Sequence, residues 1–261
     1  MQPTFQNIWR SLAISELTKD NLHVLFDSQI PAIRIRNFAA TAECEVLISA
    51  IDEGAFAYSP LQTPPIGRIG ITQYGHRDAP ETYFAGVPSA AQAVQRIISR
   101  GFDPVIRMIE LIRGSWPCAV GIASGEHGHY HAGLIRLIHH YAGLHFDFVP
   151  IEGRGWSIDD VNAQISWNLH LCTPSTGGAC VVYDRRCESE HEAAKVDPDE
   201  LLADRSLVAD RPNVTLDCAV GDILLFNTRN YHEILPCMGG RRITVSSFIG
   251  RKPDGSLVLW S

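Results

Sequence analysis

Alternation of apolar and polar residues along the chain predicts a protein built mainly from β-strands. Side chains at every second position share one face of a strand, so this pattern marks strands with one buried face. The stretches that show it, or that form a short apolar run, are residues 30–38, 116–122, 134–141, 164–171, 177–183, 221–226 and 240–248. Most of them lie in the second half of the chain, which indicates a β core preceded by a smaller scaffold.

Apolar residues at helical spacing predict a helix over residues 41–51 and a longer one that begins at Ser89 with a capping-box-like start. Pro104 is expected to divide this longer pattern into two helices. Residues 59–88, rich in Pro and Gly, favour loop and short strand. They form either one wall of a substrate pocket or an ordinary surface connection. A short helix is also predicted from Asp197, with Pro198 in its first turn.

Length and composition are those of an ordinary globular protein. With 261 residues, 45% of them apolar, we expect one domain, with scaffold over 1–115, core over 116–251 and a tail over 252–261. The net charge of −7 argues against a nucleic-acid partner. We expect neither a membrane span nor a signal peptide. The seven cysteines include no Cys-x-x-Cys motif, which favours reduced thiols in a cytoplasm.

The strongest candidate chemistry is a histidine and a carboxylate two residues apart, His145 and Asp147. At a strand end, residues i and i+2 point to the same side, so both side chains can reach one ion. His232, which follows the strand at 221–226, supplies a second imidazole. Two histidines, one carboxylate and otherwise open positions are what non-haem Fe(II) oxygenases prefer.

A second group of histidines offers an alternative metal site. His127, His129 and His131 alternate after residue 125, and a cupin-like centre would use the first two. The glutamate that such a centre needs a few residues later is missing, so we interpret this segment as a turn with solvated histidines. His139 and His140 follow one another on the strand at 134–141, so one of them is expected to face the interior.

The succession of motifs over residues 134–250 resembles the Fe(II)/2-oxoglutarate-dependent dioxygenase superfamily, with a prolyl-hydroxylase-like core. The motifs are His145-Phe146-Asp147, 164–171, 177–183, 221–226, His232 with 233–236, and 240–248. This resemblance implies a mainly β fold with flanking helices (α+β), a double-stranded β-helix or jelly roll. It also implies that His145, Asp147 and His232 bind Fe(II), and that O2 and 2-oxoglutarate are cosubstrates.

The resemblance further implies that Arg242, Thr244 and Asn168 bind 2-oxoglutarate. Arg241 is the rival for the arginine, but Arg242 and Thr244 share one face under two-residue alternation. A guanidinium can also hold a carboxylate through two parallel charge-assisted hydrogen bonds. An ion-paired surface arginine fits Arg241 better.

Within the superfamily, residues 163–169 and 225–232 are most similar to free-standing aliphatic halogenases and their hydroxylase relatives, which act on small molecules. In those halogenases a small residue replaces the acidic ligand and leaves room for halide, whereas this chain has Asp147. The resemblance therefore favours hydroxylation of an unactivated C–H bond, with succinate and CO2 as co-products. Desaturation, halogenation, a cupin-type enzyme and a binding module without 2-oxoglutarate remain alternatives.

Candidates for substrate contact lie close to the triad in the chain. Residues 149–160 carry Arg154 between glycines and Trp156, which we expect to be exposed beside the metal as part of a lid. His140 is the third candidate. The expected partner is a small molecule, with no nucleic acid and no membrane.

Overall fold

A computed structural model describes residues 7–58, 64–189 and 202–261. The helices are α1 Lys19–Phe26, α2 Thr41–Ala50, α3 Pro80–Ile98, α4 Pro104–Arg113 and α5 Val149–Glu152. The strands of the first half are β1 Ile33–Ile35, β2 Ala57–Tyr58, β3 Gly67–Ile69, β4 Val120–Ile122, β5 Ser124–Gly125 and β6 Gly128–His129. They are followed by β7 Leu134–Ile138, β8 Ala142–His145, β9 Ala163–Cys172, β10 Thr176–Gly177, β11 Cys180–Arg186 and β12 Asn213–Leu216. The last strands are β13 Ile223–Asn227, β14 Asn230–Ile234, β15 Cys237–Met238, β16 Arg242–Arg251 and β17 Leu257–Trp260.

Two sheets of unequal size dominate the fold. The major sheet has the order β1-β13-β9-β16-β7-β3-β2, and β17 joins it through β16 and carries β4. The minor sheet has the order β12-β11-β14-β8. All these pairs are antiparallel except β17 with β4. The mainly β prediction is therefore confirmed.

Strand β9 shows why the major sheet has one apolar and one polar face. Its odd-numbered residues, such as Trp167 and Leu169, join a core with apolar residues of helices α1 to α4. Its even-numbered residues are polar and equally buried: Gln164, Ser166, Asn168 and His170. Those side chains point to the other face, toward the minor sheet. A polar interior between two sheets is unusual for a purely structural core, because burying polar groups costs free energy.

An apolar cluster joins the inner faces of the two sheets at one end. It contains Ile138, Leu224 and Phe226 from the major sheet, and Val182 and Ile234 from the minor sheet. The polar residues of β9 therefore lie in a space that the two sheets enclose.

Several expected elements are confirmed, and others differ. Helix α2 and the division of the next helical pattern at Pro104, which begins α4, agree with the prediction. Helix α3 begins at Pro80 rather than Ser89, so the predicted loop over 59–88 is wrong from residue 80 onward. Pro80 occupies the first turn, where proline is tolerated, and an apolar stripe from Tyr83 to Ile98 packs inward and stabilises the helix despite its internal Pro88.

Two further differences concern the end of one predicted strand and the C-terminal segment. The strand predicted over 134–141 ends at Ile138, because the chain turns there to cross from the major sheet to the minor one. The tail predicted over 252–261 contains β17, which pairs with β16. The helix predicted at Asp197 lies outside the described residues. Among the helices that the structure describes, none is long and apolar enough to cross a membrane.

His131 is buried, which corrects its interpretation as a solvated residue; His127 and His129 are exposed as expected. Burial lowers the pKa of His131 from 6.5 to about 4. Below pH 6.5 the unfolded chain therefore binds a proton that the folded chain does not, and stability falls as the pH decreases toward 4.

Replacing His131 with asparagine is expected to weaken this pH dependence. Between pH 7 and pH 5 the wild-type protein should lose about 2 kcal/mol more unfolding free energy than the variant, because only the wild type has this histidine to protonate on unfolding. Urea denaturation at both pH values measures the difference. His139→Asn, at an exposed position, is the matched control. Equal losses in wild type and His131→Asn would contradict the assignment.

Candidate metal and co-substrate site

Neighbouring strands of the minor sheet bring His145 and His232 together. The two residues are direct partners in the β14 and β8 register, and their ring centroids lie 4.2 Å apart. Directly paired residues of antiparallel strands point to the same side. His232 alternates with Tyr231 and Glu233, and its neighbour Ile234 joins the cluster between the sheets, so both imidazoles face the enclosed space.

An irregularity in β8 is needed for this arrangement. His232 pairs with His145 and Ile234 pairs with Ala142, so three steps along β8 match two steps along β14. Strict alternation would place Ala142 and His145 on opposite faces. The extra residue is a β-bulge, a device that re-aims side chains next to functional sites. Here it allows Ala142 and His145 to face inward, while Leu144 packs with Phe146 and Val181 on the other face of the minor sheet.

Asp147 lies just beyond the end of β8, and its backbone is held on both sides. Its N–H donates to the Thr228 carbonyl at 2.8 Å, and its own carbonyl accepts from Gln164 Nε2 at 3.2 Å. Its Oδ2 atom lies 3.8 Å from His145 Nε2 and 3.6 Å from His232 Nε2. One ligand atom from each residue lies within 4.8 Å of the others, which is close enough for one ion to contact all three.

The hydrogen bonds of the two imidazoles leave the correct nitrogen for a metal. His145 Nδ1 lies 2.7 Å from the Gly143 carbonyl, and His232 Nδ1 lies 2.8 Å from the Asn230 carbonyl. A carbonyl only accepts, so each Nδ1 carries the hydrogen and each Nε2 has a free lone pair. Backbone carbonyls that orient histidine ligands in this way are typical of metal sites.

Protonation states agree with a cation site. Burial, together with the His232 ring, lowers the pKa of His145 to about 4. Burial opposes ionisation of Asp147, but the neighbouring rings of His232 and His145 outweigh it and lower the pKa of Asp147 to about 2. At neutral pH the site therefore presents a neutral imidazole and a carboxylate, the forms that bind metals.

Arg242 and Thr244 lie side by side on the inner face of β16, and both are buried. Arg242 Nη2 is 3.2 Å from His170 Nε2, and among the described residues Arg242 forms no ion pair with an acid. Arg242 Nε, Thr244 Oγ1 and His170 Nδ1 have no hydrogen-bond partner. Buried polar atoms without partners are rare in folded proteins. A carboxylate placed here would satisfy them, so this group fits the distal end of 2-oxoglutarate.

Asn168 lies on the same inner face, in register with Ser246 of β16, and its side-chain amide donates to Ser166 at 3.0 Å. Arg241, the rival of Arg242, immediately precedes β16, is partly exposed and forms an ion pair with Glu53. This pairing agrees with the surface role expected for Arg241.

The three candidates for substrate contact differ in their environments: Trp156 is buried, whereas Arg154 and His140 are exposed. Trp156 is 3% exposed and packs in an aromatic cluster, where its Nε1 donates to the Arg77 carbonyl at 3.2 Å. The expectation of an exposed tryptophan is wrong because the chain after α5 folds back onto Tyr83 and Tyr130. His140 and Arg154 are exposed, and His140 lies in the turn after β7 with His139. The expectation that one of these two histidines faces the interior is therefore also wrong.

One part of the loop predicted over 59–88 does approach the site. Arg77 forms an ion pair of 2.9 Å with Glu152, whose other oxygen accepts from the Phe148 N–H at 2.8 Å. Burial, and next the charge of Asp147, raise the pKa of Glu152 to about 7. This pair fixes the backbone directly after Asp147 and so stabilises the position of its carboxylate.

Sequence reasoning missed Arg136, on β7. It lies between Ile135 and Leu137, which belong to the helix-covered core, so its side chain points to the enclosed space. Burial lowers its pKa, and the charge of Asp147 acts in the opposite direction. The signal was a single charge within the apolar run Leu134-Ile135-Arg136-Leu137-Ile138. Alternation along that run would have assigned Arg136 to the inner face.

Comparisons with known proteins agree with this geometry. The model of a family described as "Carrier-protein-independent halogenase WelO5" matches residues 7–261. The chain is 34% identical over 217 residues to "Leucinostatins biosynthesis cluster protein S" of Purpureocillium lilacinum, which covers 78% of this chain and 89% of that protein. It is 32% identical over 161 residues to "L-gamma-glutamyl-L-propargylglycine hydroxylase" of Streptantibioticus cattleyicolor, which covers 61% of this chain and 59% of that protein.

A solved structure shares the fold at low sequence identity. It is a "Novel N-Substituted L-Amino Acid Dioxygenase" of Burkholderia ambifaria AMMD, 17% identical, with a TM-score of 0.62 over 93% of this chain and 91% of that chain. The same dioxygenase in complex with alpha-KG gives a TM-score of 0.59 at 18% identity, with the same coverage of both chains.

Proposed function

Since this chain belongs to the family of the carrier-protein-independent halogenase WelO5, among the Fe(II)/2-oxoglutarate-dependent oxygenases, we propose that it hydroxylates an unactivated C–H bond of a small molecule. Its cofactors are Fe(II), 2-oxoglutarate and O2. The facing sheets with a polar interior support the double-stranded β-helix that the sequence resemblance implies.

The carboxylate of Asp147 is the feature of the site that favours hydroxylation over halogenation. Its carboxylate oxygen lies 3.6 Å and 3.8 Å from the two imidazole nitrogens, close enough to serve as a third ligand. The halogenases that the chain resembles have a small residue there, which leaves room for halide. A carboxylate in that position fills the space and already supplies the negative charge.

Halogenation is the second candidate, since the family description names a halogenase. The relative from Streptantibioticus, however, is described as a hydroxylase, so the proteins that this chain is similar to are not confined to halogenases. Desaturation would use the same residues. Identification of the product therefore distinguishes hydroxylation, halogenation and desaturation, and Asp147 favours hydroxylation.

Different groups of residues bind the iron, bind the co-substrate and exclude water. His145, Asp147 and His232 would hold the iron, and two histidines with one carboxylate would leave positions for the co-substrate and O2. Bound Fe(II), with 2-oxoglutarate and O2, supplies a strong oxidant for C–H bonds by oxidative decarboxylation to succinate and CO2. Arg242 and Thr244 hold the distal carboxylate of the co-substrate and thereby fix its orientation. The buried aromatic cluster of Tyr83, Tyr130, Trp156 and Phe248 helps to close one side of this space to water.

Anaerobic addition of Fe(II) and 2-oxoglutarate to the full chain is expected to produce a weak visible charge-transfer band. A cupin-type enzyme or a binding module that does not use 2-oxoglutarate would give no band. His232→Ala should abolish it, because one of the nitrogens that hold the iron is removed. His129→Ala, which changes an exposed histidine outside the site, is the control and should retain it. A wild-type protein without the band would contradict the proposed function.

A further inference from the structure

Polar side chains form a row across the inner face of the major sheet. The register pairs Arg68 of β3 with Arg136 of β7, Arg136 with Thr244 of β16, and Thr244 with His170 of β9. Direct partners in antiparallel strands share a face, so these four side chains point into the same enclosed space. Their neighbours along the strands, among them Ile69, Ile135 and Val245, lie in the helix-covered core on the other face.

Two arginines placed directly opposite each other are unfavourable unless an anion lies between them. Burial, and next the charge of Arg136, lower the pKa of Arg68 to about 10, so Arg68 stays charged at neutral pH. Arg136 forms no hydrogen bond or ion pair with any residue that the structure describes. In contrast to Arg136, Arg34 is paired with Asp222 and Arg77 with Glu152.

A count of charges shows that 2-oxoglutarate cannot neutralise the inner face alone. When bound, its keto acid end would be directed to the iron, which would leave one distal carboxylate for the protein. Arg136 and Arg242 both lack an acidic partner among the described residues, and Arg68 stands beside Arg136. One carboxylate held by Arg242 and Thr244 would therefore leave Arg136, which is half-buried, without an ion-pair partner, and an unpaired charge held partly away from water is costly.

We propose that the substrate carries a carboxylate, and that Arg136, with Arg68 beside it, binds this group across the β3 and β7 pair. The inference rests on the proposed oxygenase function and narrows its substrate to small carboxylic acids, such as N-acylated amino acids. Arg136 also interacts electrostatically with Asp147 and His145. The substrate carboxylate thus lies close to the metal centre, and the oxidised carbon lies a few bonds from it.

A panel of matched acids and amides tests this inference. N-acetyl-L-leucine, N-acetyl-L-phenylalanine, N-acetyl-L-tryptophan and N-acetyl-L-lysine are compared with their carboxamides. Each is titrated anaerobically by calorimetry into the full chain loaded with Fe(II) and 2-oxoglutarate, and succinate release is measured in air. At least one acid should bind about tenfold or more tightly than its amide, as expected for a lost charge-assisted hydrogen bond.

Variants of Arg136 test whether this residue causes the preference for acids over amides. Arg136→Met should reduce the preference for acid over amide to about twofold or less, Arg136→Lys should keep part of it, and Arg241→Met, at the ion-paired surface arginine, should keep all of it. Equal binding of acids and amides by the wild-type protein, or no binding of any acid, overturns the proposal.

The co-substrate gives a separate readout. Titration of the charge-transfer band with 2-oxoglutarate should shift at most about threefold in Arg136→Met. A shift as large as that of Arg242→Leu would make Arg136 a co-substrate residue and overturn the substrate proposal, while the oxygenase function would stand. Absence of the band from the wild-type protein would overturn both.

Discussion

Replacing Asp147 with glycine is expected to abolish hydroxylation. The substitution removes the only carboxylate among the three side chains that converge at the site, so iron binding weakens and the product rate should fall on the order of a hundredfold or more. Chloride could enter the vacated position. Chlorination should nevertheless stay at trace level, because it also needs a pocket shaped for the anion and a substrate held away from the hydroxyl group.

Both outcomes are measured by mass spectrometry of the products, with and without chloride. The substrate is an N-acetyl amino acid that stimulates succinate release by the wild-type protein. Asp160→Gly is the matched control, since Asp160 is exposed and pairs only with Lys252 among the described residues. It should hydroxylate as the wild type does. If Asp147→Gly also hydroxylated at the wild-type rate, Asp147 would not be an iron ligand, and the assignment of the triad would fall with it.

Arg242→Leu should raise the concentration of 2-oxoglutarate needed for half-maximal rate about tenfold to a hundredfold. It removes one charged hydrogen-bonding contact, which contributes about 1.5–3 kcal/mol. The requirement for substrate should change much less, because Arg242 lies beside His170 and Thr244 rather than beside Arg68. Both apparent constants are measured under saturating amounts of the other reactant.

Arg241→Leu separates the two neighbouring arginines. Its ion pair with Glu53 lies on the surface side, and exposed pairs of this kind contribute little to stability. Both apparent constants should therefore stay close to the wild-type values. A rise in the 2-oxoglutarate requirement for Arg241→Leu, with none for Arg242→Leu, would assign the co-substrate to Arg241 and reverse the face assignment of β16.

Local patterns in the sequence were enough to indicate most of the strands and the residues of the site. Two-residue alternation assigned Arg242 and Thr244 to one face of β16, and the spacing of His145 and Asp147 indicated one ion. Both are properties of short segments, which the chain encodes without reference to distant residues. The length of α3 was not predicted, because the Pro and Gly content of residues 59–88 favoured a loop. Contacts of Tyr83 and Ile98 with the rest of the fold stabilise the helix despite Pro88.

The sequence by itself thus determined the mainly β class, the three converging side chains and the arginine of β16. Only the tertiary structure decided which residues lie near them. The bulge that directs His145 inward depends on the pairing of β8 with β14, and the opposition of Arg68 to Arg136 depends on the pairing of β3 with β7. Trp156 is buried because it packs against Tyr83 and Tyr130, which are distant in the sequence. Alternation fixes the face of a side chain within its own strand, whereas register and burial are set by segments far away in the sequence.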